Sequence, residues 1–361
     1  MNIKPDIEFI KDLREESGAD LKQCMQCGTC SVVCDLSPEN NPFPRKEMIW
    51  ASWGLKDKLL SDPDVWLCHN CGDCTTYCPR DVKPGDVLAT VRSKVYEKYA
   101  KPAFLFKLLK KAVFLPITLA IPVFIIGLII FLNGTLLIPE GEVNYSKFFP
   151  HMQLNTSFSI LTLIMLIGVV FSVRQFAADM KTHLPKTKCK SFIKSLFELK
   201  IEIITHQKFN VCKENKYRAN AHFLVFWGFV LLLIVTAFAI LAVIFFEYPL
   251  ALFHPVKIAG NLAAIMLIVG LSIMMFQRIK GENVAGKNNY FDWMFLVLLF
   301  ILTISGLLVE IARFDNWSLA YHIYFVHLVL VWMLIIYAPF TKFAHIIYRS
   351  TAIILCKMYG R

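Results

Sequence analysis

The polar and apolar positions of this chain divide it into two unequal regions. Up to about residue 100, charged and apolar residues alternate at short range; beyond it, long uncharged runs are separated by short charged stretches. In the first region, Asp6 to Gly18 carries apolar residues at Ile7, Ile10 and Leu13, a helical spacing that ends on a glycine suited to a C-cap and is expected to cover part of a buried site. The breaker Asn41-Pro42-Phe43-Pro44 introduces a second helical stretch, Arg45 to Leu60, which carries Trp50 and Trp53 and stops before Pro63. The second region contains six runs without Asp, Glu, Lys or Arg: Ala112–Leu132, Thr156–Val173, Ala219–Phe246, Ile258–Phe276, Trp293–Val309 and Asn316–Thr341. Each is near the ~20 residues that span ~30 Å of hydrocarbon, Trp293–Val309 being the shortest. The expected fold class is all-α. It comprises a helical head (1–100), a linker (101–111), a six-helix transmembrane body (112–349) and a tail (350–361).

Charge orients this arrangement. The formal net charge is +11, but the excess lies beside the apolar runs, which argues for membrane topology and against a nucleic-acid partner. The stretch Arg174 to Arg218 is basic, Gln277 to Asn289 carries Arg278, Lys280 and Lys287, and the end of the chain has Lys342, Arg349, Lys357 and Arg361. The alternate loops are poor in base: Asn133 to Asn155 sets Glu140 and Glu142 against Lys147, and Glu310 to Asp315 has one arginine between two acids. An even number of spans puts both termini on one side, and the basic loops make that side the cytoplasm. Met1 to Lys22 is charged and has no apolar core, so no signal peptide is expected ahead of the head. Cysteines clustered in a cytoplasmic domain mean metal rather than disulfides.

Eight of the eleven cysteines form two runs of identical spacing, Cys24, Cys27, Cys30, Cys34 and Cys68, Cys71, Cys74, Cys78, 44 residues apart. Each run is C-x2-C-x2-C-x3-C, the pattern in which three cysteines ligate one [4Fe–4S] cluster and the fourth ligates the other. The expected sets are Cys24, Cys27, Cys30 with Cys78, and Cys68, Cys71, Cys74 with Cys34. Pro79 follows the second run and Asp35 takes its place after the first, a departure that touches the local turn and not ligation. Two zinc sites are the competing reading. The head has no glycine-rich dinucleotide loop and no adjacent Cys-Cys pair, so terminal chemistry is expected on partners.

Histidines at membrane depth are costly and point to function. His327 and His345 are 18 residues apart, about five turns of one helix and roughly 27 Å along its axis, with Pro339 between them. Ligands at two depths suit two haem b groups, each bound by histidines from two helices. His222 is expected opposite His345 on the cytoplasmic side and His254 opposite His327 on the outer side. His322, about 140° around the helix from His327, and His151 are the reserve ligands. The plainer reading makes each of these a helix cap or an interfacial polar residue. It is adopted for His183 and His206 and, among the cysteines, for Cys189, Cys212 and Cys356. The tryptophan and phenylalanine stripes of the spans are read as packing or lipid-facing.

The stretches FIKDLREESGADLKQCMQCGTCSVVC and VWLCHNCGDCTTYCPRDV resemble the small iron–sulfur subunit of heterodisulfide reductases. ITHQKFNVCKENKYRANAHFLVFWGF, FHPVKIAGNLAAIMLIVG and YAPFTKFAHIIYR resemble the membrane cytochrome b of those enzymes and, more distantly, the gamma subunit of nitrate reductases. A chain fusing both is similar to the membrane subunits of quinone-interacting membrane-bound oxidoreductase (Qmo) complexes of sulfate-reducing prokaryotes. The resemblance implies a subunit that joins menaquinone, through haem b and two [4Fe–4S] clusters, to two flavin-containing heterodisulfide reductase A-like subunits and through them to adenylylsulfate reductase. In the nitrate reductase gamma family one helix supplies a histidine to each haem, a pattern matched by His327 and His345. That family draws both opposing ligands from one other helix, whereas the third span here holds only His222, so His254 stands in for the second. Two other readings remain: a membrane subunit of another heterodisulfide reductase-like complex, and a haem-free scaffold that docks a ferredoxin domain.

Overall fold

The computed structural model describes residues 4–185, 189–206, 216–245, 250–251, 253–280 and 289–360; Cys212, Lys287 and Arg361 lie outside them. Among the described residues there are helices and no strands. The head is built from α1 (Ile7–Ser17), α2 (Thr29–Val32), α3 (Arg45–Ser52), α4 (Lys56–Leu60), α5 (Asp64–Leu67), α6 (Asp73–Thr76) and α7 (Pro84–Tyr99). The last of these is its spine, burying Val87, Leu88, Val91 and Val95.

Asp6 caps α1 by accepting the Phe9 N–H at 2.9 Å, and Gly18 closes it in the left-handed region at φ 68. The buried face is Phe9, Leu13 and Ser17, whereas Ile7 is 78% exposed. That face packs on α7 and α3, and no residue of α1 lines either cysteine cavity. The stretch Arg45 to Leu60, expected as one helix, breaks at Gly54. There φ is +65, and a Cβ would stand 2.7 Å from the Asp6 carbonyl oxygen, so only glycine lets the chain approach the start of α1. The Asp6 N–H donates to the Gly54 carbonyl across this contact at 3.0 Å.

The expected linker is the helix α8 (Ala103–Lys110), which buries Phe106 and Leu109; the Lys110 ammonium meets Glu16 of α1 at 2.7 Å. It is therefore packed structure joining head to body. The body follows as α9 (Leu115–Leu132), α10 (Tyr145–Phe148), α11 (His151–Lys181), α12 (Phe192–Thr205), α13 (Lys216–Phe245), α14 (Pro255–Ile279), α15 (Tyr290–Phe314), α16 (Ala320–Tyr337) and α17 (Ala344–Met358). Among the described residues, six segments are long and apolar enough to cross a membrane: Ala112–Leu132, His151–Lys181, Tyr217–Val243, Pro255–Ile279, Tyr290–Phe314 and Ala320–Met358. Each contains or overlaps one of the apolar runs. Several extend past the run, because their last turns are polar and dock on the head.

The sixth segment differs from expectation. Helix α16 ends at Tyr337, Ala338–Phe340 is a 3-10 turn containing Pro339, Thr341 is extended, and α17 restarts at Ala344. His327 and His345 therefore lie on two helices and the five-turn phase between them does not hold, because Pro339 cannot continue the hydrogen-bond ladder. The expected tail is helical too, with Ala352, Ile353, Leu355 and Cys356 buried as α17 packs on α11 and α12.

Head and body meet through aromatic packing. Trp66, ahead of the second cysteine run, is buried with ring centroids 5.9 Å from Tyr96 of α7, 5.9 Å from Phe176 of α11 and 5.8 Å from Tyr348 of α17. Such pairs add about 0.5–1.5 kcal/mol each beyond area burial. Tyr99 donates to Asp179 at 2.8 Å beside this cluster. Within the same end of the bundle, Asp292 of α15 is buried between Arg278 of α14 at 3.3 Å and Lys342 at 2.8 Å. This triad ties three segments below the head.

Candidate functional site

The two cysteine runs adopt matching local conformations. Gln26 and Gly28 in the first, and Asn70 and Gly72 in the second, all have positive φ, at 59, 86, 55 and 96. These left-handed residues curl each loop so that its sulfurs face one point and backbone N–H groups turn toward them. The Asn70 N–H donates to Cys68 Sγ at 3.2 Å and the Val82 N–H to Cys78 Sγ at 3.4 Å. Cys24, Cys27, Cys30 and Cys78 line one small cavity, and Cys34, Cys68, Cys71 and Cys74 line another. The donor set of each cavity is four thiols, three from one run and the fourth from the other, which fits a [4Fe–4S] cubane. Burial, reinforced by neighbouring cysteines, pushes the Cys30 thiol up to about 11. Burial likewise pushes Cys34 to about 12 and raises Cys74 further. Thiols packed this way need a cation to hold them as thiolates. Cys27 differs: it is exposed, and the Thr29 hydroxyl holds its pKa below the usual value.

The second cysteine loop sits over the histidines of the membrane body. Arg218, in the first turn of α13, donates to the carbonyls of His69 and Asn70, both at 2.8 Å. Arg92 of α7 donates to the carbonyls of Cys68 at 2.9 Å and Val65 at 3.2 Å. Arg349 of α17 donates to His69 Nε2 at 2.7 Å. Arg218 and His222 are four residues apart on one helix, as are His345 and Arg349 on another, so each arginine stands one turn from a histidine on the same face. His222 and His345 face each other with ring centroids 6.1 Å apart. A cavity of about 550 Å³ opens here, lined among others by Cys68, His69, Arg218, His222, His345 and Arg349.

The spacing of this pair is one that would let both imidazoles hold a haem iron. Imidazoles sharing one metal, each at a bond of roughly 2 Å, hold their ring centres about 6 Å apart. The Nδ1 of each ring is already engaged. His345 Nδ1 lies 2.6 Å from the Lys342 carbonyl, and His222 Nδ1 lies 3.1 Å from His206 Nε2. A hydrogen-bond partner on Nδ1 fixes the tautomer that ligates through Nε2. His206, read from the sequence as bland, is at the C-terminal end of α12 with φ 52. Burial holds its pKa below the usual value, opposed by hydrogen bonding to the Ile204 and Ile203 carbonyls. The sequence signals for this group were the i, i+4 Arg/His spacings.

The outer pair is not brought together. His254 caps α14, its Nδ1 accepting the Val256 N–H at 3.3 Å. His327 Nδ1 is 2.9 Å from Ser305 Oγ of α15, with its ring against Gly306, where a Cβ would come within 3.2 Å of Cε1. Lys257 meets Glu310 at 3.0 Å, which aligns α14 with α15 and sets His254 about eight residues, roughly 12 Å, outward of His327. His322 is exposed and His151 is half-buried at the start of α11. His183 and Cys189 lie apart from both cysteine cavities and the histidine cavity, and Cys356 is buried in α17.

Comparison with known proteins agrees with the cysteine geometry. Residues 20–82 match the family described as 4Fe-4S dicluster domain. The head is a 4Fe-4S dicluster domain. It is similar to a protein of Archaeoglobus profundus that is like the iron–sulfur subunit of heterodisulfide reductase, 42% identical over 94 residues, which are 26% of this chain and 48% of that protein. It is also similar to the corresponding subunit of the H2:CoB-CoM heterodisulfide,ferredoxin reductase of Methanothermobacter marburgensis, 39% identical over 90 residues, 25% of this chain and 48% of the relative. The chain spans about half the length of these relatives. Citrate utilization protein B of Escherichia coli is 27% identical over 313 residues, 80% of each chain, so that likeness extends through the membrane body. The chain thus carries a heterodisulfide reductase-like iron–sulfur electron-transfer head fused to a membrane region similar to that of citrate utilization protein B.

Proposed function

We propose that this chain is the membrane electron-transfer subunit of an oxidoreductase complex. It would link the menaquinone pool, through one b-type haem held by His222 and His345 and through the two clusters of the head, to flavin-containing partners of the heterodisulfide reductase A type. Those partners would in turn feed adenylylsulfate reductase. The observation that carries the reading is the clamp by which Arg218 and Arg349 hold the Cys68–Cys71 loop directly over the His222–His345 pair. A haem bound there supplies a one-electron carrier within the membrane. The chain's own residues do the rest. His206 and the Lys342 carbonyl orient the two imidazoles, the arginines fix the cysteine loop against them, and the Trp66 aromatic cluster packs the head on the body beside them. His254 and His327 are assigned structural roles, a helix cap and a partner of Ser305.

The head would lie in the cytoplasm. The bundle end on which it docks carries Arg218, Arg278, Lys342 and Arg349, as the positive-inside rule requires. A second reading of the partner follows from the citrate utilization protein B likeness, which covers both regions of the chain. On that reading the complex oxidises or reduces an organic acid, and the same cofactor chain serves it. Copurification distinguishes the two. Two flavoproteins of the heterodisulfide reductase A type support the first reading, and a single organic-acid oxidoreductase supports the second. Reduced-minus-oxidised spectra test the shared core: a b-type α-band is expected, and its absence from purified chain with intact clusters would overturn the haem assignment.

A further inference from the structure

The two cysteine sites face in different directions. The Cys68 site is turned to the membrane body and covered by Arg92, Arg218 and Arg349. The Cys24 site is turned away from it, and Cys27 is exposed. Among the described residues of the head, five large apolar side chains are exposed, at Ile7, Met25, Val32, Trp53 and Tyr77. Three of them are next to ligands of the Cys24 site along the chain: Met25 lines its cavity between Cys24 and Cys27, Val32 is on α2 with Cys30, and Tyr77 precedes Cys78 at the end of α6, which packs beside α2. They are 59%, 86% and 60% exposed, on a surface whose other apolar groups are mostly buried in the core.

The charged rim of this patch is basic. Arg45 and Arg80 line the Cys24 cavity, Arg45 acts electrostatically on Cys27, and Lys22 stands two residues before Cys24. Of the nearby acids, Asp81 pairs with Lys83 at 3.9 Å, Asp20 pairs with Arg14 at 3.4 Å and Asp73 lines the other cysteine cavity; no carboxylate is in the lining of the Cys24 cavity.

We infer that the Met25–Val32–Tyr77 surface is a docking face for a protein electron carrier with an acidic contact surface, which exchanges one electron at a time with the cluster of Cys24, Cys27, Cys30 and Cys78. The inference rests on the reading of the head as an electron-transfer domain. It deepens that reading by fixing which cluster is the port and what sign of charge its partner carries. Apolar centres ringed by charge are the usual form of such faces, and opposite charges speed encounter in a salt-dependent way. The step balances simply: the carrier loses one electron, the cluster gains one, and no bond or proton moves.

The test uses the full chain with both clusters loaded, mixed in stopped flow with a reduced plant-type ferredoxin as the acidic probe. Cluster bleaching gives the second-order rate. The rate should fall as salt is raised, since charges are screened beyond ~10 Å at 0.1 M. Arg45→Glu with Arg80→Glu should slow it about tenfold at low salt, within the range of electrostatic steering. Val32→Asp should slow it at every salt concentration. Reduction by photoreduced lumiflavin, a small donor that needs no docking face, should be unchanged in Val32→Asp. Rates that ignore salt and all three substitutions, with both cluster signals intact by electron paramagnetic resonance, overturn the docking face. Missing [4Fe–4S] signals in the parent protein would instead overturn the reading of the head.

Discussion

Replacing Arg218 by methionine tests the junction between the two cofactor regions. Methionine keeps an apolar stem and removes the guanidinium, so the change isolates the two bonds to the carbonyls of His69 and Asn70, both 2.8 Å long. Hydrogen bonds to a charged group contribute about 1.5–3 kcal/mol each, and two buried carbonyls are left without that donor. The direct loss is therefore roughly 3–6 kcal/mol for the closed loop. Relaxation and entering water recover part of it, and we expect about 2–3 kcal/mol to remain in the local opening equilibrium. Since 1.4 kcal/mol is a factor of ten, amide hydrogen exchange at residues 69–71 should accelerate some 30- to 150-fold. The Asn70 amide, which donates to Cys68 Sγ, is the most direct reporter. Arg349→Met removes one bond, to the His69 side chain, and should have the smaller effect. Because both arginines hold one loop, the double mutant should depart from additivity. The assay is exchange with mass spectrometry on the cluster-loaded full chain, with the Cys24–Cys30 loop as internal control. Unchanged exchange at 69–71 in Arg218→Met would refute the clamp.

Cys34→Ser should remove the cluster of Cys68, Cys71 and Cys74 while sparing that of its own run, and Cys78→Ser should do the reverse; iron analysis should fall from about eight to about four per chain in each. Lys46 is the cation of a buried acidic group, at 2.8 Å from Asp64, 2.9 Å from Asp62 and 3.3 Å from Glu47, so Lys46→Met should destabilise the chain by about 3–5 kcal/mol in thermal unfolding. Burial, with Asp62 beside it, raises the Glu47 pKa well above its ordinary 4.5. The folded state therefore retains a proton that the unfolded state has lost, and this group's contribution to stability falls as pH rises above that value. Glu47→Gln should remove the slope and raise the melting temperature at neutral pH; an unchanged slope would show Glu47 to be ionised. Gly54→Ala forces a side chain against the Asp6 carbonyl at positive φ and should cost roughly 1–3 kcal/mol, measured by chemical unfolding.

Much of this architecture was legible in residue order. The cysteine runs show their spacing locally, and the absence of charge in the membrane runs is an average over many residues, so neither depends on neighbours distant in sequence. Details set by tertiary contact were less accessible. Helix α1 was readable from Asp6 and Gly18, but its buried face turned to Phe9 because α7 lies there. His206 was unreadable because its role depends on the end of α12 meeting the start of α13. The His327–His345 phase failed where Pro339 let the chain turn. The depth of His254 was not legible because helix ends do not report depth: the Lys257–Glu310 contact that aligns α14 with α15 is visible only after folding.

The most direct measurement of the central claim is haem content per chain, by pyridine haemochromogen, in the parent, His345→Ala and His327→Ala proteins. One haem b in the parent, lost in His345→Ala and retained in His327→Ala, is the expected result. Haem retained in His345→Ala, or two haems in the parent with one lost in each variant, would contradict the assignment of His222 and His345 as the single axial pair.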